Sequence, residues 1–188
     1  MKLYVNTHIA ELDLESSLAA LPQQRREQAL RYRREHDRKL CAAAYQLLRR
    51  GVSECFGLAE APALSYGSGG KPSVAGHPEI HFNMSHCREA AVCAVDTVPV
   101  GVDVESIRPL DDAVAVRVLN AAELARVRQS LWPQVEFIRL WTMKEALLKL
   151  TGEGISRDLK TVIDHARYRF ATVIDLPHHI VYTTCHYR

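Results

Sequence analysis

Residues 137–154, FIRLWTMKEALLKLTGEG, are the stretch that predicts the fold most directly. Leu, Met, Ala, Lys and Glu dominate it, and Gly152 follows the last apolar residues, which predicts one helix ending at that glycine. At about 100° per residue, the apolar side chains cover most of the circumference, which is typical of a buried helix. Thr142, Glu145 and Lys149 form the narrow polar strip that remains.

The strip carries one pair of opposite charges. Glu145 and Lys149 are spaced i,i+4 and therefore project from the same face, one turn apart. Charged groups on a buried helix need partners, because ionisation without them is costly. Taken alone, such a pair is more often an intrahelical ion pair than part of a functional site. The other motifs of the chain decide between the two interpretations.

Composition describes an ordinary globular protein. The 188 residues are 47% apolar and 24% charged, enough for one domain or two small halves with a sizeable core. A net charge of +2 does not by itself indicate nucleic-acid or membrane binding. The five cysteines form no CxxC pair and no Cys/His cluster, so the sequence does not predict a zinc site. Their odd number and their positions in apolar runs predict a reducing compartment. With no signal peptide and no run of about 18 apolar residues, we expect a cytoplasmic location.

The order strand, helices, strands occurs twice. We therefore predict an α+β fold of two similar halves, an N-terminal half at residues 1–97 and a C-terminal half at residues 98–188. A short helix is predicted after Asn120, which is a good N-cap with Glu123 at the third position. The other predicted elements are a strand at 2–8, one or two helices at 21–50 ending at Gly51, and strands at 81–85, 90–95, 99–105, 161–163, 168–174 and 180–184.

Two basic segments allow both a structural and a functional interpretation. The arginines and lysine between residues 25 and 39 form either a solvated helix face or an anion site, and the sequence favours neither. The turn at residues 67–72, GSGGKP, is not GxxxxGK[ST] before a helix, so it is not a P-loop. It is better interpreted as a flexible turn that carries a functional lysine, Lys71.

The segment GVDVE at residues 101–105 alternates strictly between apolar and acidic side chains. Val102 and Val104 share one face of the predicted strand, and Asp103 and Glu105 share the other. Neighbouring side chains on one face lie ~7 Å apart, so the two carboxylates could converge on one cation. For such a pair alone, a solvated outer face of an antiparallel strand is the commoner case.

Four motifs occur in a fixed order: GGKP at 69–72, HFNMSH at 81–86, GVDVE at 101–105 and WTMKEALLKLTGEG at 141–154. In this order they closely resemble the 4′-phosphopantetheinyl transferases of the surfactin-synthetase-activating, or Sfp-like, class. The resemblance implies two similar α/β halves related by a pseudo-twofold axis, with the cofactor in the cleft between them. Because the chain has room for both halves, it also implies a monomer.

The resemblance implies a reaction as well. The family transfers phosphopantetheine from coenzyme A to a serine of an apo acyl or peptidyl carrier protein, releasing adenosine 3′,5′-bisphosphate. Mg²⁺ is the implied metal, with Mn²⁺ as an alternative, and neither nucleic acid nor a membrane is expected as a partner. The rival hypotheses are a non-catalytic coenzyme A or carrier-protein binding module of the same fold, and a different Mg²⁺-dependent phosphoryl transferase or nuclease. The binding module would not need the acidic residues, and the other enzymes leave GGKP and FNMSH unexplained.

By the family pattern, Asp103, Glu105 and Glu145 surround the Mg²⁺. Glu145 is also the general base that takes the serine proton, directly or through a water molecule. Lys149 contacts the pyrophosphate and stabilises the leaving phosphate. Lys144 points to another side of the helix, where we expect a structural pairing partner.

The resemblance also implies residues that bind coenzyme A. Ser85 and His86, in the FNxSH position, would bind its phosphates, together with Asp103 and Lys149 around the pyrophosphate. Lys71, in GKP, would reach the adenosine end. The 3′-phosphate would be bound by basic residues of the early helices, of which Arg38 is the best single candidate and Arg26, Arg31 and Lys39 are the others.

Overall fold

The computed structural model describes residues 1–67, 70–154 and 158–188. Its helices and strands alternate in two groups, and they agree with the predicted α+β class. In chain order they are β1 (Lys2–Asn6), α1 (Leu14–Ala19), α2 (Gln23–Leu30), α3 (Glu35–Phe56), β2 (Leu64–Tyr66), β3 (Pro72–Val74), β4 (His81–His86), β5 (Ala91–Asp96), β6 (Gly101–Ser106), α4 (Asp112–Val118), α5 (Ala121–Gln129), α6 (Pro133–Thr151), β7 (Tyr168–Asp175) and β8 (Ile180–Tyr187).

Each half packs one long helix on a three-stranded antiparallel sheet. The first sheet has the order β1-β5-β4 and packs against α3, and the second has the order β6-β8-β7 and packs against α6. Strands β4 and β6 lie against each other where the halves meet, and the Val102 amide donates to Asn83 Oδ1 across that seam at 3.1 Å. The seam therefore brings the HFNMSH and GVDVE motifs together. The division between residues 97 and 98 stays a prediction about separate domains.

Helix α3 runs past Gly51, so the predicted end at that glycine is wrong. Its end lies at Gly57, which has a left-handed φ of 72°. Gly51 is buried, and a Cβ built there would lie 2.6 Å from Val95 Cγ2. The sequence places a glycine inside the helix because α3 must approach β5 closely, and that requirement outweighs its low helix propensity.

Helix α6 confirms the prediction drawn from residues 137–154. It begins at Pro133, and Gly152 ends it with a left-handed φ of 75°. Its apolar side chains are buried on several faces, as the pattern predicted. A Cβ at Gly101 of β6 would overlap the backbone carbonyl of Ala146, so the bare glycine lets α6 lie directly on the strand.

Two smaller predictions have opposite outcomes. Helix α5 is confirmed, with a complete capping box between Asn120 and Glu123. The predicted strand at 161–163 is wrong, because the Thr161 amide donates to the Asp158 carbonyl in a turn and Val162 is buried in the cluster beneath α6. The β-branched run at 161–163 therefore contributes to packing although no strand in the described chain pairs with it. None of the helices in the described residues is long and apolar enough to cross a membrane.

Candidate functional site

Three polar side chains meet at the seam between the halves. Asp103 of β6 lies on the sheet face towards α6, Ser85 comes from β4, and Lys149 comes from the last turns of α6. The Lys149 ammonium donates to Asp103 Oδ1 at 2.5 Å and to Ser85 Oγ at 2.7 Å. Ser85 Oγ itself donates to the same Asp103 oxygen at 2.8 Å. The triangle joins residues that are 18 to 64 positions apart in the chain.

The interpretation of residues 103 and 105 as a solvated strand face is wrong for Asp103. This side chain is 4% exposed, and its second oxygen, Oδ2, is buried without a hydrogen-bond partner in the described part of the chain. A buried carboxylate oxygen normally has a partner, because leaving one unpaired is costly. Asp103 therefore has one oxygen held by the protein and one available to a ligand.

Glu145 lies one helical turn before Lys149 and has the same property. Its Oε1 is buried and has no hydrogen-bond partner among the described residues. Burial raises the pKa of this carboxyl most, and the negative charge of Asp103 raises it further. In residues 1–67, 70–154 and 158–188 the ion pair of Lys149 is made with Asp103, so the intrahelical pair with Glu145, the commoner interpretation of this spacing taken alone, is not formed.

Glu105 stands beside these groups on the same strand as Asp103. It accepts a hydrogen bond from Trp141 Nε1 at 3.1 Å, and Arg108 Nη1 lies 4.0 Å from its other oxygen. Burial raises the pKa of Glu105, and the neighbouring charge of Asp103 raises it further. The two raised carboxyl pKa values have one shared cause besides burial, which is the concentration of negative charge around Asp103.

This group of carboxylates fits a divalent cation in its chemistry. Asp103 Oδ2 and Glu145 Oε1 are hard oxygen donors that are buried and unpaired, and Mg²⁺ is often bound through one or two carboxylates plus substrate phosphates. Within the described residues, no three His, Cys, Asp or Glu side chains are arranged as a complete metal-binding cluster. The ligand set Asp103, Glu105 and Glu145 therefore stays a prediction.

A cavity of about 280 Å³ opens beside Glu145 and Lys149. Lys71 lines it from the N-terminal half, and its ammonium donates to the Leu150 carbonyl near the end of α6 at 2.8 Å. Burial lowers the pKa of Lys71. Of the GGKP motif, Gly70, Lys71 and Pro72 line the cavity, while Gly69 lies outside the described residues together with its neighbour at position 68. Met84 and Leu148 give the cavity an apolar wall.

A second cavity of about 600 Å³ is lined by His86 at the end of β4. Burial lowers the pKa of His86 most, and the charge of Lys149 lowers it further, so both favour the neutral imidazole. The ring packs edge-on against Tyr32, with the two centroids 6.3 Å apart. The cavity is lined by Arg34, His36, Asp37, Leu40, His86, Cys87 and Arg88.

The predicted basic residues of the early helices have separate positions. Arg38 Nε donates to the Tyr32 carbonyl at 2.9 Å, and Lys39 pairs with Glu35 at 3.0 Å. Arg26 and Arg31 are exposed. Sequence analysis did not single out Arg34 and Arg88, which line the larger cavity. The adjacency of Arg88 to the HFNMSH motif was the one signal in the sequence that pointed to it.

Lys144 has the structural role that its position on α6 predicted. Its fully buried ammonium donates to both Glu123 oxygens, at 2.8 and 2.9 Å, and to the Leu159 carbonyl at 2.7 Å. Glu123 also completes the capping box of α5. The ammonium thus has three acceptors and ties α6 to α5 and to the loop that follows α6.

Known proteins resemble this chain in sequence. Residues 99–184 match the 4′-phosphopantetheinyl transferase superfamily. The 4′-phosphopantetheinyl transferase psf-1 of Bacillus pumilus is 35% identical over 159 residues, which are 83% of this chain and 68% of the relative. The 4′-phosphopantetheinyl transferase Sfp of Bacillus subtilis strain 168 is 26% identical over 180 residues, 93% of this chain and 80% of the relative. A crystal structure of Thermotoga maritima holo-[acyl-carrier-protein] synthase matches with a TM-score of 0.40 and 15% identity, over 48% of this chain and 62% of that one.

Proposed function

This chain belongs to the 4′-phosphopantetheinyl transferase superfamily, and from that premise we propose that it transfers phosphopantetheine from coenzyme A to a carrier-protein serine. The observation that supports this most is the group formed by Asp103, Ser85, Lys149 and Glu145 at the seam between the halves. It combines an ammonium, a hydroxyl and two buried carboxylate oxygens that have no partner in the described chain. A site for a pyrophosphate and a nucleophilic hydroxyl needs these groups.

Glu145 is the proposed general base. The serine hydroxyl of the carrier must lose its proton as its oxygen attacks the β-phosphorus of coenzyme A, and an acceptor is needed within hydrogen-bond reach. The unpaired Glu145 Oε1 can accept that proton directly or through a water molecule. Because burial and Asp103 raise the pKa of this carboxyl, it holds a proton better than an ordinary glutamate does.

Lys149 is the proposed electrostatic partner of the leaving group. Adenosine 3′,5′-bisphosphate departs with new negative charge on its 5′-phosphate, and an ammonium at that position stabilises the charge. Asp103, Glu105 and Glu145 would hold Mg²⁺, or Mn²⁺ in its place. When bound, the metal neutralises charge on the pyrophosphate and polarises it for attack. Asp103 and Ser85 hold Lys149 in place and orient it towards the seam.

The rest of coenzyme A would extend into the two cavities. Lys71 lines the smaller cavity beside Lys149 and would contact the adenosine end. Ser85, at the seam, and His86, which lines the larger cavity, would bind phosphates, and Arg34 and Arg88 add basic side chains in that cavity. Arg38 remains a candidate for the 3′-phosphate if its side chain leaves the Tyr32 carbonyl.

The finer features of fold and assembly are proposed on the same basis. Each half packs a long helix on a three-stranded sheet, which supports a pseudo-twofold relation with the cofactor cleft at the seam. We propose a monomer in the cytoplasm, whose partners are coenzyme A and an apo acyl or peptidyl carrier protein, with neither nucleic acid nor a membrane involved.

Intact-protein mass spectrometry tests the function. An apo carrier protein is incubated with this chain, coenzyme A and Mg²⁺, and the expected product is the carrier plus one phosphopantetheine. The gain should disappear with EDTA or when the acceptor serine of the carrier is changed to alanine. If a panel of acyl and peptidyl carriers gains no mass although coenzyme A binds, the chain is a binding module and the proposal is wrong.

A further inference from the structure

The Lys149 ammonium already holds the carboxylate that is proposed to bind the metal. It lies 2.5 Å from Asp103 Oδ1, and Ser85 Oγ lies 2.8 Å from the same oxygen. This oxygen therefore accepts two hydrogen bonds, one of them from a full positive charge. A second cation approaching Asp103 would face Lys149 at short range inside a largely buried site, where charges are poorly screened.

The charges of the surrounding groups nearly cancel. When all are ionised, the three carboxylates of Asp103, Glu105 and Glu145 face the two cations Lys149 and Arg108, which leaves one net negative charge. A divalent cation alone would reverse the sign of the site. A cation that arrives with a doubly charged pyrophosphate would leave the net charge as it was, because the two added charges cancel.

We propose that Lys149 competes with the divalent cation for Asp103, and that coenzyme A relieves this competition. Its pyrophosphate offers the ammonium a stronger acceptor and draws it away from the carboxylate, so the cation and coenzyme A bind cooperatively. Lys149 is thereby a device that disfavours cation binding in the absence of substrate. The inference rests on the proposed function, since it assumes that this site binds a cation and a pyrophosphate.

The ion pair is suited to this exchange. The Lys149 side chain is 29% exposed, whereas Asp103 beneath it is buried. The ammonium can therefore reach a ligand in the adjacent cavity, which Lys149 lines together with Glu145 and Lys71. The buried carboxylate stays in place when the lysine moves, because it lies on β6, which is packed against both α6 and β4.

The test measures binding of Mn²⁺ alone and Mn²⁺ with coenzyme A, by electron paramagnetic resonance of the free ion and without carrier protein. For the unmodified protein, coenzyme A should raise the affinity for Mn²⁺ by about 5- to 150-fold, the usual range of coupling between two ligands. In Lys149→Met the affinity for Mn²⁺ alone should rise by about tenfold or more, and the coupling should shrink. Lys149→Gln serves if the Met variant does not fold.

Two matched variants separate charge from hydrogen bonding. Lys149→Arg keeps the positive charge and should bind Mn²⁺ alone as weakly as the unmodified protein. Ser85→Ala removes the neutral donor to Asp103 and one acceptor of Lys149 but keeps the lysine charge, so the affinity for Mn²⁺ alone should change far less than in Lys149→Met. The same Mn²⁺ affinity in Lys149→Met and the unmodified protein, or weaker binding in the variant, would overturn the inference.

The outcomes also separate this inference from the proposed function. If the unmodified protein transfers phosphopantetheine but Lys149→Met has the same Mn²⁺ affinity as the unmodified protein, the proposed function stands and the competition is rejected. Absence of Mn²⁺ binding with and without coenzyme A, in a protein that still transfers phosphopantetheine, would reject the cation site and the inference together. Absence of transfer on every carrier would reject the function by its own experiment.

Discussion

Helix α6 carries two lysines, five residues apart, whose ion pairs differ in completeness. Lys144 is fully buried and has three acceptors, both Glu123 oxygens and the Leu159 carbonyl. Lys149 is partly exposed, and its partner Asp103 keeps one buried oxygen unpaired. A structural pair satisfies all its polar atoms, whereas a pair in a binding site leaves atoms for the ligand. From this comparison we expect Lys144 to contribute mainly to stability and Lys149 mainly to the proposed reaction.

The largest expected effect is a loss of transfer rate when the group around Lys149 is changed. Glu145→Gln removes the proposed base, and we expect the rate of transfer to fall by at least about 100-fold. The free energy of unfolding should not decrease, because the variant replaces a carboxylate whose buried Oε1 lacks a hydrogen-bond partner in the described chain. Transfer is measured by intact mass and unfolding by urea titration. Asp103→Ala should also abolish turnover in a folded protein, and unchanged activity in either variant would contradict the proposed site.

Changing Lys144 should instead reduce the free energy of unfolding more than changing Lys149 does. Lys144→Met leaves the largely buried carboxylate of Glu123, 12% exposed, without its cation, and breaking such a pair costs ~3–5 kcal/mol in the free energy of unfolding. Lys149→Met should cost less than Lys144→Met, because the Lys149 side chain is 29% exposed and Ser85 Oγ still donates to Asp103 Oδ1 in the variant. Urea denaturation of the two variants measures the difference. A larger loss for Lys149→Met would contradict the assignment.

Gly101 and Gly51 each allow a helix to lie close to a strand, one glycine in each half, so the same substitution can be compared in both halves. Gly101→Ala would push its Cβ into the Ala146 carbonyl of α6 and should cost ~1–3 kcal/mol in stability. It should also slow transfer, because Glu145 and Lys149 move with the helix. Gly51→Ala is the matched variant in the other half, where the added Cβ meets the Val95 side chain. It should lower stability but leave the rate per folded molecule near that of the unmodified protein.

The smallest expected effect concerns pH. Burial lowers the pKa of His86 in the folded protein, so the unfolded chain takes up a proton first as the pH falls. The stability contributed by the neutral imidazole is present above the unfolded pKa of about 6.5 and is lost as the pH falls through the folded value. His86→Gln should therefore reduce the loss of unfolding free energy between about pH 7 and pH 5.5. His178, which is exposed beside Asp175, is the control, and an equal effect of His178→Gln would contradict this account.

The sequence predicted correctly those helix ends that are determined by residues close to each other in the chain. The capping box of α5 and the glycine that ends α6 were predicted because both act within one or two turns of helix. Gly51 was misinterpreted as a helix end because a glycine that ends a helix and one that permits close packing look alike in sequence. The difference lies in β5, which is more than 30 residues away.

The site shows the same limit. The i,i+4 spacing of Glu145 and Lys149 described the helix correctly, but the partner of Lys149 is Asp103 on the neighbouring strand. Only the packing of α6 on β6 decides between the two carboxylates. Arg34 and Arg88 were not singled out for the same reason, since the larger cavity is formed by segments about fifty residues apart in the chain.

The most direct test of this account is the transfer rate per folded molecule in two variants of α6. Lys149→Met is compared with the double variant Glu123→Gln and Lys144→Met, in which glutamine can still complete the capping box and no buried charge is left unpaired. The account predicts that Lys149→Met folds but transfers little phosphopantetheine, and that the double variant transfers at nearly the normal rate per folded molecule. Normal transfer by Lys149→Met, with transfer lost in a folded double variant, would contradict it.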